Sequence, residues 1–259
     1  MSRFQLWALT VLVTIGLARS VNGQEDLTFD VGGEKFVVKR YPENPDAMKR
    51  PVVILVHGID GMGGASGVQI KSFAEELAKG GYLALVPQYF GKNDGSDSDE
   101  FNKLIELRLG KFDDYVPRIA AVVQTAMDQS DADGDRLGLV GFSLGGGLVL
   151  KQAQSAPADK IKAVVNFYGY IPNSGIFMNA DKLPPTLILH NKNDRVVKIG
   201  VSEALLRALK KTSVKHDHRF YDEEYFFRLH HTFRPGGNAD VDSRKRTLDW
   251  LNSHLKASN

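Results

Sequence analysis

The chain has 259 residues, 42% of them hydrophobic and 25% charged, which is enough apolar content for a sizeable core in one α/β domain or two small ones. It contains no cysteine, which excludes disulfides, thiol nucleophiles and thiolate metal sites. The formal charge is only +2, and the basic pairs Lys49-Arg50 and Lys210-Lys211 are too short to form a patch, so no nucleic-acid partner is expected.

In chain order, the first 23 residues read as a secretory signal cut after Gly23: Arg3, an apolar stretch from Phe4 to Leu17, then Val21-Asn22-Gly23. About 14 apolar residues fall short of the roughly 20 that span a bilayer, so a retained membrane anchor is the weaker reading. Cleavage would remove Arg3 and Arg19, leaving 31 basic and 31 acidic residues in a single exported domain over 24–259.

A β-hairpin is predicted over 27–31 and 34–41, turning at Gly32-Gly33. The continuous apolar run Pro51-Val-Val-Ile-Leu-Val-His57 suits a strand buried on both faces. Helices are predicted over 66–79, 115–129, 146–155, 200–211 and 240–255. Strands are predicted over 82–86, 137–140, 161–167, 186–190 and 216–221. This alternation implies a mostly parallel sheet covered by helices on both sides, with no break marking a second domain. Two polar stretches interrupt it. Residues 93–100 read as a mobile surface loop. Asp131-Ala-Asp-Gly-Asp135 resembles the start of a calcium-binding EF-hand loop, but Arg136, Gly138 and Phe142 stand where the turning glycine, an apolar residue and the bidentate glutamate belong. It reads as a turn before the next strand, and neither a metal nor another cofactor is expected.

Gly141-Phe142-Ser143-Leu144-Gly145 fits G-x-S-x-G between a predicted strand and a predicted helix, the setting in which that pattern makes a nucleophile elbow. Such a turn strains Ser143 and lifts its hydroxyl clear of the sheet, and side chains at positions 141 and 145 would collide with strand and helix. The N–H of Leu144, at the helix start, then points toward the reacting oxygen. A glycine-rich turn with an incidental serine is the competing reading. A phosphate-binding loop fits less well, because no Gly-Lys-Ser/Thr follows.

A serine hydroxyl is a poor nucleophile alone, so a base and an orienting acid are needed, in the chain order Ser, acid, His. Asp194 follows the strand ending at His190 and so faces the rim that holds Ser143; its alternative is a turn or cap role before the helix at Gly200. Two adjacent histidines follow the last strand. His231 is the favoured base, because Phe233 can pack beneath the loop and fix the imidazole, and His230 is the alternative base. His190, His216, His218 and His254 read as structural or exposed. The first buried strand runs into the glycine-rich loop His57-Gly-Ile-Asp-Gly-Met-Gly-Gly64, whose Ile59 N–H is the best partner for that of Leu144 in an oxyanion hole. The loop lacks the G-x-G-x-x-G spacing of a dinucleotide site.

With these pieces in order, the chain resembles an α/β-hydrolase, and more narrowly the dienelactone hydrolase family. The resemblance rests on Leu55-Val-His-Gly-Ile-Asp-Gly61, Leu85-Val-Pro-Gln-Tyr-Phe90, Gly138-Leu-Val-Gly-Phe-Ser-Leu-Gly-Gly146, the Asp194 loop and His231-Thr-Phe233. It implies Ser143, Asp194 and His231 at the triad positions, and Ile59 and Leu144 at the oxyanion positions. Two departures stand out. Dienelactone hydrolases proper carry a cysteine nucleophile where this chain has Ser143, and a glutamate that meets it where this chain has Gly58. An exported serine carboxylesterase acting on a small ester is therefore expected. A peptidase of the same fold and a non-catalytic ligand-binding relative are the alternatives. Tyr89, Phe90, Ile176, Phe177, Met178, Tyr225, Phe226 and Phe227 are candidates for an acyl pocket, and Arg234 for a substrate carboxylate, though a surface role suits that arginine better.

Overall fold

A computed structural model describes residues 18–19, 25–41, 49–96, 100–157, 159–172, 174–225 and 231–256. Nine strands form one sheet: β1 (Ala18–Arg19), β2 (Glu25–Val31), β3 (Glu34–Tyr41), β4 (Arg50–Val56), β5 (Leu83–Gln88), β6 (Ala132–Phe142), β7 (Ile161–Phe167), β8 (Thr186–Asn191) and β9 (His216–Tyr221). Their spatial order is β1-β2-β3-β5-β4-β6-β7-β8-β9. The strands from β5 across to β9 run parallel, and β1 to β3 form an antiparallel flank. Most of the predicted leader lies outside the described residues, but Ala18 and Arg19 within it pair with Asp26 and Glu25.

Seven helices are described: α1 (Gly64–Lys79), α2 (Phe101–Gly110), α3 (Phe112–Met127), α4 (Leu144–Ser155), α5 (Gly175–Met178), α6 (Gly200–Leu209) and α7 (Asn238–Leu255). Strand β4 shows why its sequence is an unbroken apolar run. Val52, Ile54 and Val56 enter one core, packed with residues of α3, α4 and α6. Val53 and Leu55 enter the other, packed with residues of α1 and α7. Each such side chain taken fully from water stabilises the fold by roughly 1.5–3 kcal/mol relative to leaving it exposed.

One helix was not predicted, and two expectations are corrected. Helix α2 occupies a segment with no strong apolar period. The 93–100 stretch is not all surface loop: Asp94 is fully buried, with its carboxylate bonded to Arg118, Lys111 and the Gly91 N–H. The acidic 131–135 stretch is not a turn ahead of the strand, because β6 already begins at Ala132, and Asp131 pairs with Arg40 and Arg50. Burial would raise the Asp131 carboxyl, but the two guanidinium groups outweigh it and hold it below the usual carboxylate range.

The connection after β4 runs to β5 on one side of the sheet, and that after the adjacent β6 runs to β7 on the other. The crevice beyond the carboxyl ends of β4 and β6 is thus a topological switch point. The loops after both strands meet there.

Candidate active site

Ser143 stands between β6 and α4 with φ 53° and ψ −119°, a region costly for a residue with a side chain, on the order of 1–3 kcal/mol. Its backbone is held from three directions. The Ser143 N–H donates to the Phe167 carbonyl at 3.0 Å, and the Ser143 carbonyl accepts from Gly146 and Tyr170, each at 2.9 Å. The flanking glycines are required by close approach: a Cβ at Gly141 would stand 2.3 Å from the Gly145 carbonyl oxygen, and one at Gly145 would stand 2.1 Å from that of Val56. Leu144 opens α4, so its N–H belongs to the first turn, where backbone donors have no helical acceptor and the helix dipole favours negative charge.

His231 reaches this serine from the loop after β9. Its Nε2 lies 2.8 Å from Ser143 Oγ, and its Nδ1 lies 2.7 Å from Asp194 Oδ2. The carboxylate can only accept, so the proton sits on Nδ1, and Nε2 is left to accept from the serine hydroxyl. The Tyr168 ring packs edge-on to the imidazole at 4.8 Å. Phe233 is buried, 5.6 Å from Tyr168 and 4.8 Å from Tyr221 between ring centres, so it meets the imidazole's neighbour Tyr168. His230, the alternative base, lies outside the described residues.

Asp194 is buried just past β8. Its Oδ1 accepts from the N–H groups of Val196 and Val197, at 2.8 and 2.9 Å. Its Oδ2 is shared by His231 and by His190, whose Nε2 is 3.0 Å away. Desolvation pushes the carboxyl up, but hydrogen bonds from His190 and His231 prevail and hold it below the usual carboxylate range. His190 is thus a partner of the acid, a role that its place at a strand end did not reveal. Its Nδ1 meets Ser202 Oγ at 2.6 Å, which ties the network to α6.

The loop after β4 brings Gly58 and Ile59 to the same cleft as Ser143 and His231. A Cβ at Gly58 would lie 3.0 Å from the Ser143 Cβ, so a larger residue there would press on the serine. The cleft is walled mainly by Ile70, Phe73, Phe142, Phe167, Tyr168 and Phe233. Most of the expected pocket residues lie elsewhere. Ile176 is core, Met178 is exposed, and Phe177 and Met178 line a separate groove beside α6. Tyr89 and Phe90 pack on His57 behind the loop, while Phe226 and Phe227 lie outside the described residues. Arg234 is exposed. Among the described residues, no group of three or more His, Asp or Glu side chains is placed to hold a metal ion.

A parallel sheet covered on both faces, with a strained serine after a central strand and a histidine and aspartate in line with it, defines an α/β-hydrolase fold. Comparison with known proteins narrows this. The model of the dienelactone hydrolase family matches residues 38–255. A Yersinia pestis protein named "Putative carboxymethylenebutenolidase" is 28% identical over 218 residues, covering 79% of this chain and 78% of that protein. A Methylorubrum extorquens protein of the same name is 27% identical over 217 residues, covering 79% and 72%. The crystal structure of a "Putative Dienelactone Hydrolase" from Klebsiella pneumoniae superposes with a TM-score of 0.73 at 22% identity, covering 89% of this chain and 98% of that one, a likeness of fold. The chain belongs to the dienelactone hydrolase family and is a hydrolase acting on ester bonds.

Proposed function

We propose that the protein is an exported serine carboxylesterase that cleaves a small carboxylic ester or lactone through an acyl-enzyme on Ser143. The observation that carries this reading is the continuous chain of short contacts from Ser143 Oγ through His231 to Asp194. In the first step Ser143 Oγ attacks the ester carbonyl carbon while His231 Nε2 takes its proton. The carbonyl oxygen becomes an oxyanion that accepts from the N–H groups of Ile59 and Leu144, each worth roughly 3 kcal/mol in the transition state. As the intermediate collapses, the C–O bond breaks and the imidazolium gives its proton to the departing alkoxide. Water then repeats the sequence on the acyl-enzyme and returns the proton to Ser143. Asp194 fixes the Nδ1–H tautomer and offsets the imidazolium charge; it is not itself protonated.

The relatives' name denotes hydrolysis of a butenolide carrying a carboxymethylene group. Ser143 in place of cysteine and Gly58 in place of glutamate favour a broader ester for this chain. The largely apolar cleft wall supports a compact hydrophobic acyl group. The reading requires no cofactor and no macromolecular partner. Export rests on the leader-like residues 1–23, and the protein recovered from its exporting host should begin after Gly23.

The decisive experiment measures hydrolysis of a short-chain p-nitrophenyl ester and labelling by a fluorophosphonate probe, with Ser143→Ala as the comparison. A loss of at least about 10⁴-fold in kcat/KM, with labelling abolished, is expected. Undiminished turnover in Ser143→Ala would overturn the assignment. Preferential cleavage of peptide amides would move the reading to a peptidase.

A further inference from the structure

Arg108 heads the fully buried side chains by size, and it does not line the Ser143 cleft. It arrives from α2, whose preceding loop is anchored by the buried Asp94 carboxylate on Arg118 at 2.5 Å and Lys111 at 2.9 Å. All three guanidinium nitrogens donate to main-chain carbonyls: Nε to Asp94 at 2.8 Å, Nη2 to Gly95 at 2.8 Å, and Nη1 to Ile59 at 2.6 Å. The guanidinium plane also lies over the Phe90 ring, 3.8 Å from its centre. Filling this space with an apolar side chain of similar size would avoid the cost of desolvating a cation. Nε and Nη2 hold the 94–95 loop, and Nη1 ties that loop to one turn after β4.

That turn spans 58–61, closed by the Gly61 N–H on the Gly58 carbonyl at 3.2 Å. Asp60, its third residue, is not among the residues with positive φ, which makes the turn type I and places Ile59 in the helical region. In that conformation the N–H and C=O of one residue point in opposite directions. Gripping the Ile59 carbonyl therefore also fixes the direction of its N–H. The two preceding carbonyls are held as well, that of His57 by the Tyr89 hydroxyl at 3.0 Å and that of Gly58 by His57 Nδ1 at 2.8 Å.

We propose that Arg108 is a positioning residue for ester hydrolysis: its grip on the Ile59 carbonyl holds the 58–61 turn so that the Ile59 N–H meets the oxyanion. The proposal rests on Ile59 being an oxyanion donor in the reaction proposed above. It acts on the transition state, where the oxyanion forms, and far less on the bound ester, whose carbonyl oxygen carries little charge.

The test compares wild type with Arg108→Met and Arg108→Lys, using kcat and KM for a short-chain ester and the affinity of a trifluoromethyl ketone, which forms an oxyanion on Ser143. Arg108→Met should lower kcat by about 10²-fold and ketone affinity by a similar factor, with KM changed less than about threefold. The shape of the pH profile, which reports the Ser143, His231 and Asp194 set, should not change. Arg108→Lys keeps the charge but cannot span three carbonyls, and should fall between the two. It carries the test if the methionine variant does not fold. Added guanidinium should restore part of the activity of Arg108→Gly. A folded Arg108→Met or Arg108→Lys protein with full kcat, or one that loses kcat while binding the ketone as tightly as wild type, would overturn the proposal. Failure of the esterase reading itself appears separately, as turnover that survives Ser143→Ala.

Discussion

His190 Nε2 stands 3.0 Å from Asp194 Oδ2, the same oxygen that meets His231 Nδ1. The acid is thereby gripped from both sides, and its free rotation is further stopped by the Val196 and Val197 N–H groups on Oδ1. Replacing His190 by glutamine should keep the fold and lower kcat by about tenfold, because the carboxylate loses one of its fixing bonds. Replacement by alanine should in addition destabilise by about 1–3 kcal/mol, leaving buried polar groups of Asp194 and Ser202 without that partner. Steady-state kinetics and denaturant melts on both variants check this.

Asp194→Asn should destabilise the fold by about 1–3 kcal/mol, since the buried carboxylate loses its bonds from His190 and His231, while lowering kcat by about 10⁴-fold. An amide at this position can donate to Nδ1 and stabilise the wrong imidazole tautomer. A single-turnover assay on the purified variant, with its melt measured alongside, separates the two effects.

Asp94 supplies the acid-stability prediction. Burial acts to raise its carboxyl, but hydrogen bonds from Lys111 and Arg118 outweigh burial and lower it below the ordinary carboxylate value. A carboxyl whose pKa is lower in the folded state contributes stability that is fully present above its unfolded pKa, near 3.9, and is lost as pH falls through the folded value. Asp94→Asn should therefore destabilise by about 3 kcal/mol at neutral pH, leaving Arg118 without its carboxylate. That deficit should shrink in urea melts taken at successively lower pH below about 4.

Gly145→Ala should give protein that is destabilised by about 3 kcal/mol or fails to fold, since the added methyl meets the Val56 main chain rather than a movable side chain. Soluble yield and thermal melting check it against Gly200→Ala, where the added Cβ would meet nothing within 4 Å.

The strands were legible in the sequence because those buried on both faces carry runs of consecutive apolar residues, as 52–56 in β4 and 187–189 in β8. The meeting of Ser143, Asp194 and His231 was legible because each follows a strand end in a fixed chain order. The other buried polar residues were not. Asp94 sits in a stretch that reads as solvent-exposed, and only its distant partners Lys111 and Arg118 make its burial possible. The sequence likewise shows His190 as the end of a strand, while its partner Asp194 depends on how the following loop folds back. The cleft wall was misassigned for a related reason: Ile70 and Phe73 come from α1, which carries no catalytic motif.

The parts that converge on Ser143 come from opposite stretches of the chain, with Ile59 after β4 and His231 after β9. No local fragment can hold them together, and most of the parallel sheet must be paired before His231 meets Ser143. Turnover is therefore a gauge of completed folding. During refolding it should return with the slowest phase of sheet assembly, later than helical signal, and partly assembled chains should hold no reactive serine.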